Sequence, residues 1–378
     1  MRIVVAIDSF KGSLSSLQAG SAVKEAICRL NEDAEVIVKP LADGGEGTVE
    51  ALASALDSEM VEMCVHGPLM NPVMAKYCIL KSSNTAVIEM AAASGITLIS
   101  AKERNPMETT TYGVGELIKD AIDRGCRRFI IGIGGSATND GGTGMLSALG
   151  VQFLDSKNNP ISFGAKGLGE LDKISILHVI PELKDCAFSI ACDVKNPLCG
   201  ENGCSAVYGP QKGATPEMVL TMDAWLEKYA QLTKTVSQQA DKDRQGAGAA
   251  GGLGFAFLAY MNATLKSGID IVLDEIKIED CIKSADIVVT GEGRLDAQTV
   301  MGKAPIGVAK LAKKYGKKVI AFCGCTTKDA EVCNEHGIDA FFPVLRGVTT
   351  LEEALNVENA YDNLRATAYQ VFRLIQMR

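Results

Sequence analysis

The feature that most constrains this chain is a rhythm of short β-branched runs, each stopping in a polar, glycine-bearing turn before a helical pattern. Ile3–Ile7 runs into Asp8-Ser9-Phe10-Lys11-Gly12-Ser13. The helix that follows opens on a capping-box pair, Ser15 and Gln18, and carries Val23, Ile27 and Leu30 on one face. Val36–Val38 runs into Pro40-Leu41-Ala42-Asp43-Gly44-Gly45-Glu46-Gly47-Thr48, after which Val49, Leu52, Ala53 and Leu56 mark a second helical face. The rhythm returns at 285–290, with a helix over about 304–314 and a strand at 318–322. Strands alternating with helices predict a parallel sheet with right-handed crossovers.

The middle of the chain breaks this pattern. Val61–Val65 and Met74–Leu80 read as paired antiparallel strands around Gly67-Pro68 and Asn71-Pro72, with a further strand at 86–88. A helix over 112–123, a strand at 129–131, a glycine-rich loop and a mostly helical region over 216–243 follow. The expectation is an α/β protein of two domains: a discontinuous Rossmann-like parallel-sheet domain, 1–60 plus 285–378, interrupted by an inserted mixed α/β domain, 61–284. A length of 378 residues suits two such cores.

Charge and composition exclude several classes of function. With 46 acidic against 38 basic residues, the chain lacks the excess of a nucleic-acid binder. Its densest basic cluster, Lys310, Lys313, Lys314, Lys317 and Lys318, reads as a solvated helix end. The uncharged stretch from Gln245 to Leu265 is long enough to suggest a membrane span, but its glycine-rich start and Asn262 predict a loop followed by a helix. Met1–Asp8 leaves no room for a signal peptide. The twelve cysteines then point to a reducing compartment, expected to be the cytoplasm. Cys28, Cys64, Cys78, Cys126 and Cys192 fall in apolar segments and read as core. Cys323 and Cys325 flank Gly324 without a nearby histidine to complete a zinc site.

In open α/β sheets, ligands bind beyond the carboxyl ends of strands, so the turns there are the candidates for chemistry. Besides Asp8, Ser9, Lys11, Asp43 and Glu46, they include Gly132-Ile133-Gly134-Gly135-Ser136-Ala137-Thr138-Asn139-Asp140-Gly141-Gly142-Thr143-Gly144. Asp193-Val194-Lys195-Asn196-Pro197 and Gly291-Glu292-Gly293-Arg294-Leu295-Asp296-Ala297-Gln298 complete the set. Glycine amides can approach an anion, while carboxylates beside them make sense if a divalent cation accompanies phosphates or if one removes a proton. Together with Lys11, Lys195 and Arg294 these are the parts of a phosphoryl-transfer site. No Walker A loop is present. Gly132, Gly134 and Ala137, with Asp155 downstream, nominally match a dinucleotide fingerprint, but Asn139–Gly144 is poor material for the helix this requires. No histidine sits where it would activate Ser9. The Gly246–Gly254 tract reads either as a tightly packed helix start or as an anion hole.

The strings at 8–13, 42–48 and 134–142 resemble the hallmark strings of the bacterial type I glycerate kinases. So do those at 192–198 (Cys-Asp-Val-Lys-Asn-Pro-Leu), 248–254 and 290–296, in the family's order. The resemblance implies an ATP-dependent kinase of D-glycerate that uses magnesium and gives phosphoglycerate, with 2-phosphoglycerate the expected product. It also implies a discontinuous α/β domain, an inserted domain and a site in the cleft between them. Within that frame, Asp8, Ser9, Lys11, Asp43, Arg294 and Asn196 are the candidates for substrate binding, with Lys11 and Arg294 facing anionic groups. Asp193 or Asp43 is the candidate base, assisted by Lys11. Gly134, Gly135, Ser136, Thr138, Gly251 and Gly252 are expected at nucleotide phosphate, and Asp296, Glu292 and Asp140 at the metal. Two other readings are a nicotinamide-dependent dehydrogenase of a small hydroxy acid and a non-catalytic small-anion binder on the same scaffold. Neither nucleic acid nor membrane is expected as a partner.

Overall fold

A computed structural model describes residues 1–45, 47–261 and 263–377; Glu46 and Asn262 lie outside the described residues. In chain order the strands are β1 (Arg2–Ile7), β2 (Glu35–Val38), β3 (Ser58–His66), β4 (Pro72–Leu80), β5 (Thr85–Glu89), β6 (Arg128–Gly132) and β7 (Gln152–Leu154). They continue as β8 (Lys173–Ser175), β9 (Ala187–Ala191), β10 (Thr264–Lys266), β11 (Ile287–Leu295), β12 (Lys318–Thr326) and β13 (Ala340–Pro343). The chain is a mixed α/β protein that divides into two compact units. One comprises Met1–Asp43, Glu50–Leu56 and Ile269–Arg378; the other comprises Gly44–Val49 and Asp57–Gly268.

The first unit is built on a five-stranded sheet in the order β13-β12-β11-β1-β2, every pair parallel. β1 lies between β11 and β2, and its Ile3, Val5 and Ile7 are buried with Ala19, Val23 and Ile27 of the helix Ser16–Leu30. Leu364, Ala368 and Phe372 of the C-terminal helix Val357–Gln376 join the same cluster. The first helix opens with the capping box foreseen at Ser15 and Gln18. From β1 the chain steps to β2 on one side, and later to β11, β12 and β13 on the other. The order therefore reverses between β1 and β11, which makes the carboxyl ends of these two strands a topological switch point. Residues 269–284 pack with this unit rather than with the inserted segment. Lys39 Nζ donates to Ile276 O at 3.0 Å, and Gly307 leaves room for Ile269, whose Cγ1 would lie 2.6 Å from any Cβ there.

The second unit contains a six-stranded sheet, β10-β9-β6-β5-β4-β3, and the small antiparallel pair β7-β8. β3, β4 and β5 pair antiparallel, as the sequence suggests for 61–88, whereas β5, β6, β9 and β10 run parallel. Its core includes Tyr77, Phe129, Phe188 and Phe257, with the Phe129 and Phe188 rings stacked at 4.7 Å.

Three expectations change. β11 does not stop at Thr290: β12 continues beside it, pairing Glu292 with Cys323 and Arg294 with Cys325, so the expected turn at 291–295 is strand. Gly291 is what permits this, since a Cβ there would meet Phe322 O at 2.0 Å. Cys64 is exposed rather than core, because alternation along β3 turns it to the face opposite the buried Val61 and Val65. The helical region after Pro216 ends at Thr233. Among the described residues no helix is long and apolar enough to cross a membrane. The apolar helix in the uncharged stretch spans only Ala249–Tyr260.

Candidate active site

The first unit gathers its polar candidates at the switch point. The register pairs Ile7 with Gly291, and Asp8 N donates to Gly291 O at 2.9 Å, so Asp8 sits beside the start of Glu292-Gly293-Arg294. Asp8 is 5% exposed and accepts a 2.6 Å bond from Ser9 N. Burial, and then the nearby negative charge of Asp43, raise its pKa to about 7, against the opposing pull of the Ser9 amide and Lys11. Asp43 follows β2, and its Oδ2 lies 3.8 Å from the exposed ammonium of Lys11. Period-two alternation along β11 sends Glu292 and Arg294 to one face. Glu292 is buried, accepts from Thr299 Oγ1 at 2.6 Å and lies 3.5 Å from Lys303 Nζ. Burial raises its pKa, with Thr299 and Lys303 acting against the shift. Asp296 lies 3.3 Å from Arg294 Nε and 3.9 Å from Lys303 Nζ. Among the described residues, four carboxylates and three cations thus converge at the ends of parallel strands.

Sequence reasoning missed Lys303. The only signal it offered was its place just before the helix Ala304–Lys314, with Pro305 in the first turn. The Lys303 ammonium lies within ion-pair range of both Glu292 and Asp296, which shows that the two carboxylates can share one cation. Their hard oxygen donors suit magnesium, which binds through one or two carboxylates and completes its shell with water and phosphate. Among the described residues no three His, Cys, Asp or Glu side chains form a self-sufficient metal cage. The two carboxylates, placed to share one cation, would fit a metal that takes its remaining ligands from phosphate and water.

The second unit presents the glycine loop after β6. Gly134 and Gly135 are exposed, Gly135 with φ +73°, while Ser136, Thr138, Asn139 and Asp140 are buried. Ser136 Oγ accepts from Thr138 N at 3.0 Å and lies 2.9 Å from Thr138 Oγ1, pinning the turn. Asp140 is fully buried and its carboxylate is taken up by protein donors. It accepts from Thr111 N (2.8 Å), Thr111 Oγ1 (2.9 Å), Thr110 Oγ1 (3.2 Å), Gly142 N (3.0 Å) and Gly144 N (3.3 Å). Burial raises its pKa and these donors oppose the rise. A carboxylate so occupied braces the loop, and it is not offered to a metal. The helix after the loop starts only at Thr143, so the nominal dinucleotide fingerprint lacks its helix. Asp155 instead ties its own turn, accepting from Lys157 N and Asn159 N at 2.8 Å each.

The Gly246–Gly254 tract backs this loop. Ala250, Gly251 and Gly252 all adopt left-handed backbone, and Gly251 O accepts from Gly141 N at 3.0 Å. A Cβ on Gly251 would lie 2.0 Å from Thr138 O, and one on Gly252 would lie 2.8 Å from Gly141 Cα. Both glycines are thus demanded by close backbone packing. Gly251→Ala is expected to cost about 2–4 kcal/mol through the clash and the positive φ, read as a lower urea midpoint. A loss below about 0.5 kcal/mol would contradict this packing argument.

The loop after β9 holds Asp193 and Asn196. Asp193 is exposed and accepts from Gly268 N at 3.2 Å. Asn196 is used internally: its Nδ2 donates to Asn202 O at 2.9 Å and its Oδ1 accepts from Tyr208 OH at 2.7 Å. It shapes its loop and leaves little for a substrate. The structure also brings in a residue that sequence reasoning passed over, Lys212, buried beneath Ser136 and Thr138. Its only signal was the turn-forming run Gly209-Pro210-Gln211-Lys212-Gly213.

The glycerate kinase family model matches residues 3–376. A glycerate kinase from Haemophilus influenzae is 48% identical over the full length of both chains. A glycerate 2-kinase from Escherichia coli is 48% identical over 96% of this chain and 95% of its own. A crystal structure assigned as glycerate kinase 2 from Salmonella typhimurium superposes with a TM-score of 0.92 at 46% identity, covering 100% of this chain and 98% of the other. With the fold, the strand-end polar turns and this similarity in agreement, the chain belongs to the glycerate kinase family and is a kinase that takes its phosphoryl group from ATP.

Proposed function

We propose that the enzyme transfers the γ-phosphoryl group of ATP to the C2 hydroxyl of D-glycerate, giving 2-phosphoglycerate and ADP. The observation that carries this reading is the cluster of Asp8, Lys11, Asp43, Glu292, Arg294 and Asp296 at the switch point of the parallel sheet. D-glycerate is a small anion bearing two hydroxyls, and it needs both a cation for its carboxylate and a base for the reacting hydroxyl. Lys11 and Arg294, the two exposed cations of the cluster, serve the anionic groups. Asp8 is the base, in place of Asp43 or Asp193, because burial has tuned its carboxyl to about 7, where a base is both deprotonated and able to accept a proton at working pH. Asp43 sustains that tuning and orients Lys11. The glycerate oxygen forms its bond to the γ-phosphorus as the bridging bond to ADP breaks, and the hydroxyl proton goes to Asp8.

Glu292 and Asp296 would hold magnesium, which neutralises charge on the transferring phosphates when bound. The exposed Gly134 and Gly135, with Ser136 and Thr138 shaping the turn behind them, supply amides to nucleotide phosphate. The name of the Escherichia coli relative supports the C2 position, and the number of cysteines in the chain supports work in a reducing compartment, the cytoplasm.

Phosphorus NMR of the enzyme with magnesium, ATP and D-glycerate tests the reading. The expected product signal is a phosphomonoester coupled to the single C2 proton. A signal coupled to two protons would place the phosphate at C3, and intact ATP would exclude glycerate as the acceptor.

A further inference from the structure

Lys212 is 2% exposed, yet among the described residues its ammonium makes no ion pair. Its Nζ donates to Thr138 O at 2.6 Å and lies 3.4 Å from Ser136 Oγ, both in the glycine loop. A buried ammonium without a counter-ion is costly, and sites that keep one usually use its charge. Its placement is built in. Pro210 opens a single 3-10 turn that ends at Lys212, and Gly213 closes it with φ +93°, where a Cβ would strike Arg104 O at 2.2 Å. The charged or titratable groups that face the ammonium are Asp140, whose carboxylate is already taken up by Thr110, Thr111, Gly142 and Gly144, and the buried thiol Cys204. Neither cancels its charge by direct contact.

We propose that Lys212 is a positioning residue for the nucleotide. It fixes the Ser136–Thr138 turn from beneath and lends an uncancelled positive charge to the loop that holds the phosphates of ATP. The proposal rests on the assignment of that loop to nucleotide phosphate. It differs from a purely structural brace because the charge acts on ATP and not on glycerate.

Steady-state kinetics in both substrates, on full-length enzyme, separate these cases. Lys212→Met keeps the unbranched apolar stem of the side chain, one atom shorter, and removes the ammonium and its charge. It is expected to raise KM for ATP at least tenfold while KM for glycerate stays within twofold and the melting temperature within a few degrees. In the wild type, burial lowers the lysine pKa to about 8, so KM for ATP should rise above pH 8 as the ammonium loses its proton. The Met variant should be flat there. An unchanged KM for ATP, or equal losses for both substrates with a lowered melting temperature, would overturn the proposal. Should Lys212→Met and Lys212→Gln both fail to fold, the wild-type profile decides: a flat KM for ATP from pH 7 to 9.5 refutes the role.

Gly134→Val tests the underlying loop assignment separately. Gly134 is exposed and, among the described residues, a Cβ there meets only Gly45 Cα, at 3.5 Å, so the fold should tolerate valine while the approach of a phosphate is blocked. If Gly134→Val leaves KM for ATP unchanged, the loop assignment fails and the Lys212 proposal with it. If Gly134→Val raises it and Lys212→Met does not, only the role of Lys212 falls.

Discussion

Asp8→Asn is expected to lower kcat by roughly 10²- to 10⁴-fold, the usual contribution of a positioned general base, with the protein remaining folded. Asparagine keeps an oxygen for the Ser9 amide that Asp8 now accepts but cannot take the hydroxyl proton. In the wild type, kcat/KM for glycerate, measured at saturating ATP, should climb with pH through about 7 and then level off, because Asp8 must be ionised to act and its pKa is raised to about that value. Asp43→Asn removes the second cause of that shift and should move the climb to lower pH. The stability effect has the opposite sign to the activity effect. Asp8 has a folded pKa above its unfolded value, so its ionisation costs stability as pH rises from about 4 through 7, and the cost is complete above that. At pH 8, Asp8→Asn should therefore melt at or above the wild-type temperature while losing activity. A variant that keeps near-normal kcat would return the role of base to Asp43 or Asp193.

Asp140→Ala is expected to be among the most damaging single substitutions to the fold. It strips the acceptor from the amides of Thr111, Gly142 and Gly144 and from the hydroxyls of Thr110 and Thr111, at a site with no exposure. Leaving several buried donors without an acceptor costs about 3–5 kcal/mol. In a unit of this size, that lowers the melting temperature by about 10 °C. Asp140→Asn should fall between, since one oxygen remains while the amide NH₂ faces donors. Thermal and urea denaturation read both variants. If instead the Ala variant kept wild-type stability and lost magnesium-dependent activity, Asp140 would be a metal ligand after all.

The outcome for Asp140 shows where reading residues in order reaches its limit. An aspartate among glycines at the end of a strand has the same local signature whether it holds a ligand or ties a loop. What separates the two is the partner, and here the partners are Thr110 and Thr111, which lie 30 and 29 residues away along the chain. Gly251 and Gly252 make the same point. Their glycine content was legible, but the reason for it is the backbone of Thr138, Asn139 and Gly141, over a hundred positions earlier. Lys303 and Lys212 went unremarked because a lone lysine carries no local pattern, and each acquires meaning only from the groups it meets.

By itself the sequence determined the α/β class, the parallel strands near both ends, the antiparallel strands within 61–88 and the set of polar, glycine-bearing segments that are the candidates for the chemistry. It could do so because hydrophobic periodicity, capping residues and turn residues act over a few positions. The tertiary structure alone decided that β11 runs on to Leu295, that Asp8 comes to lie beside Glu292 at a reversal of strand order, and which acids stay available and which are consumed by the fold. The pairing of β1 with β11 joins residues more than 280 positions apart. Long-range registry of that kind, and the burial that moves the pKa of Asp8, exist only once the sheet has assembled.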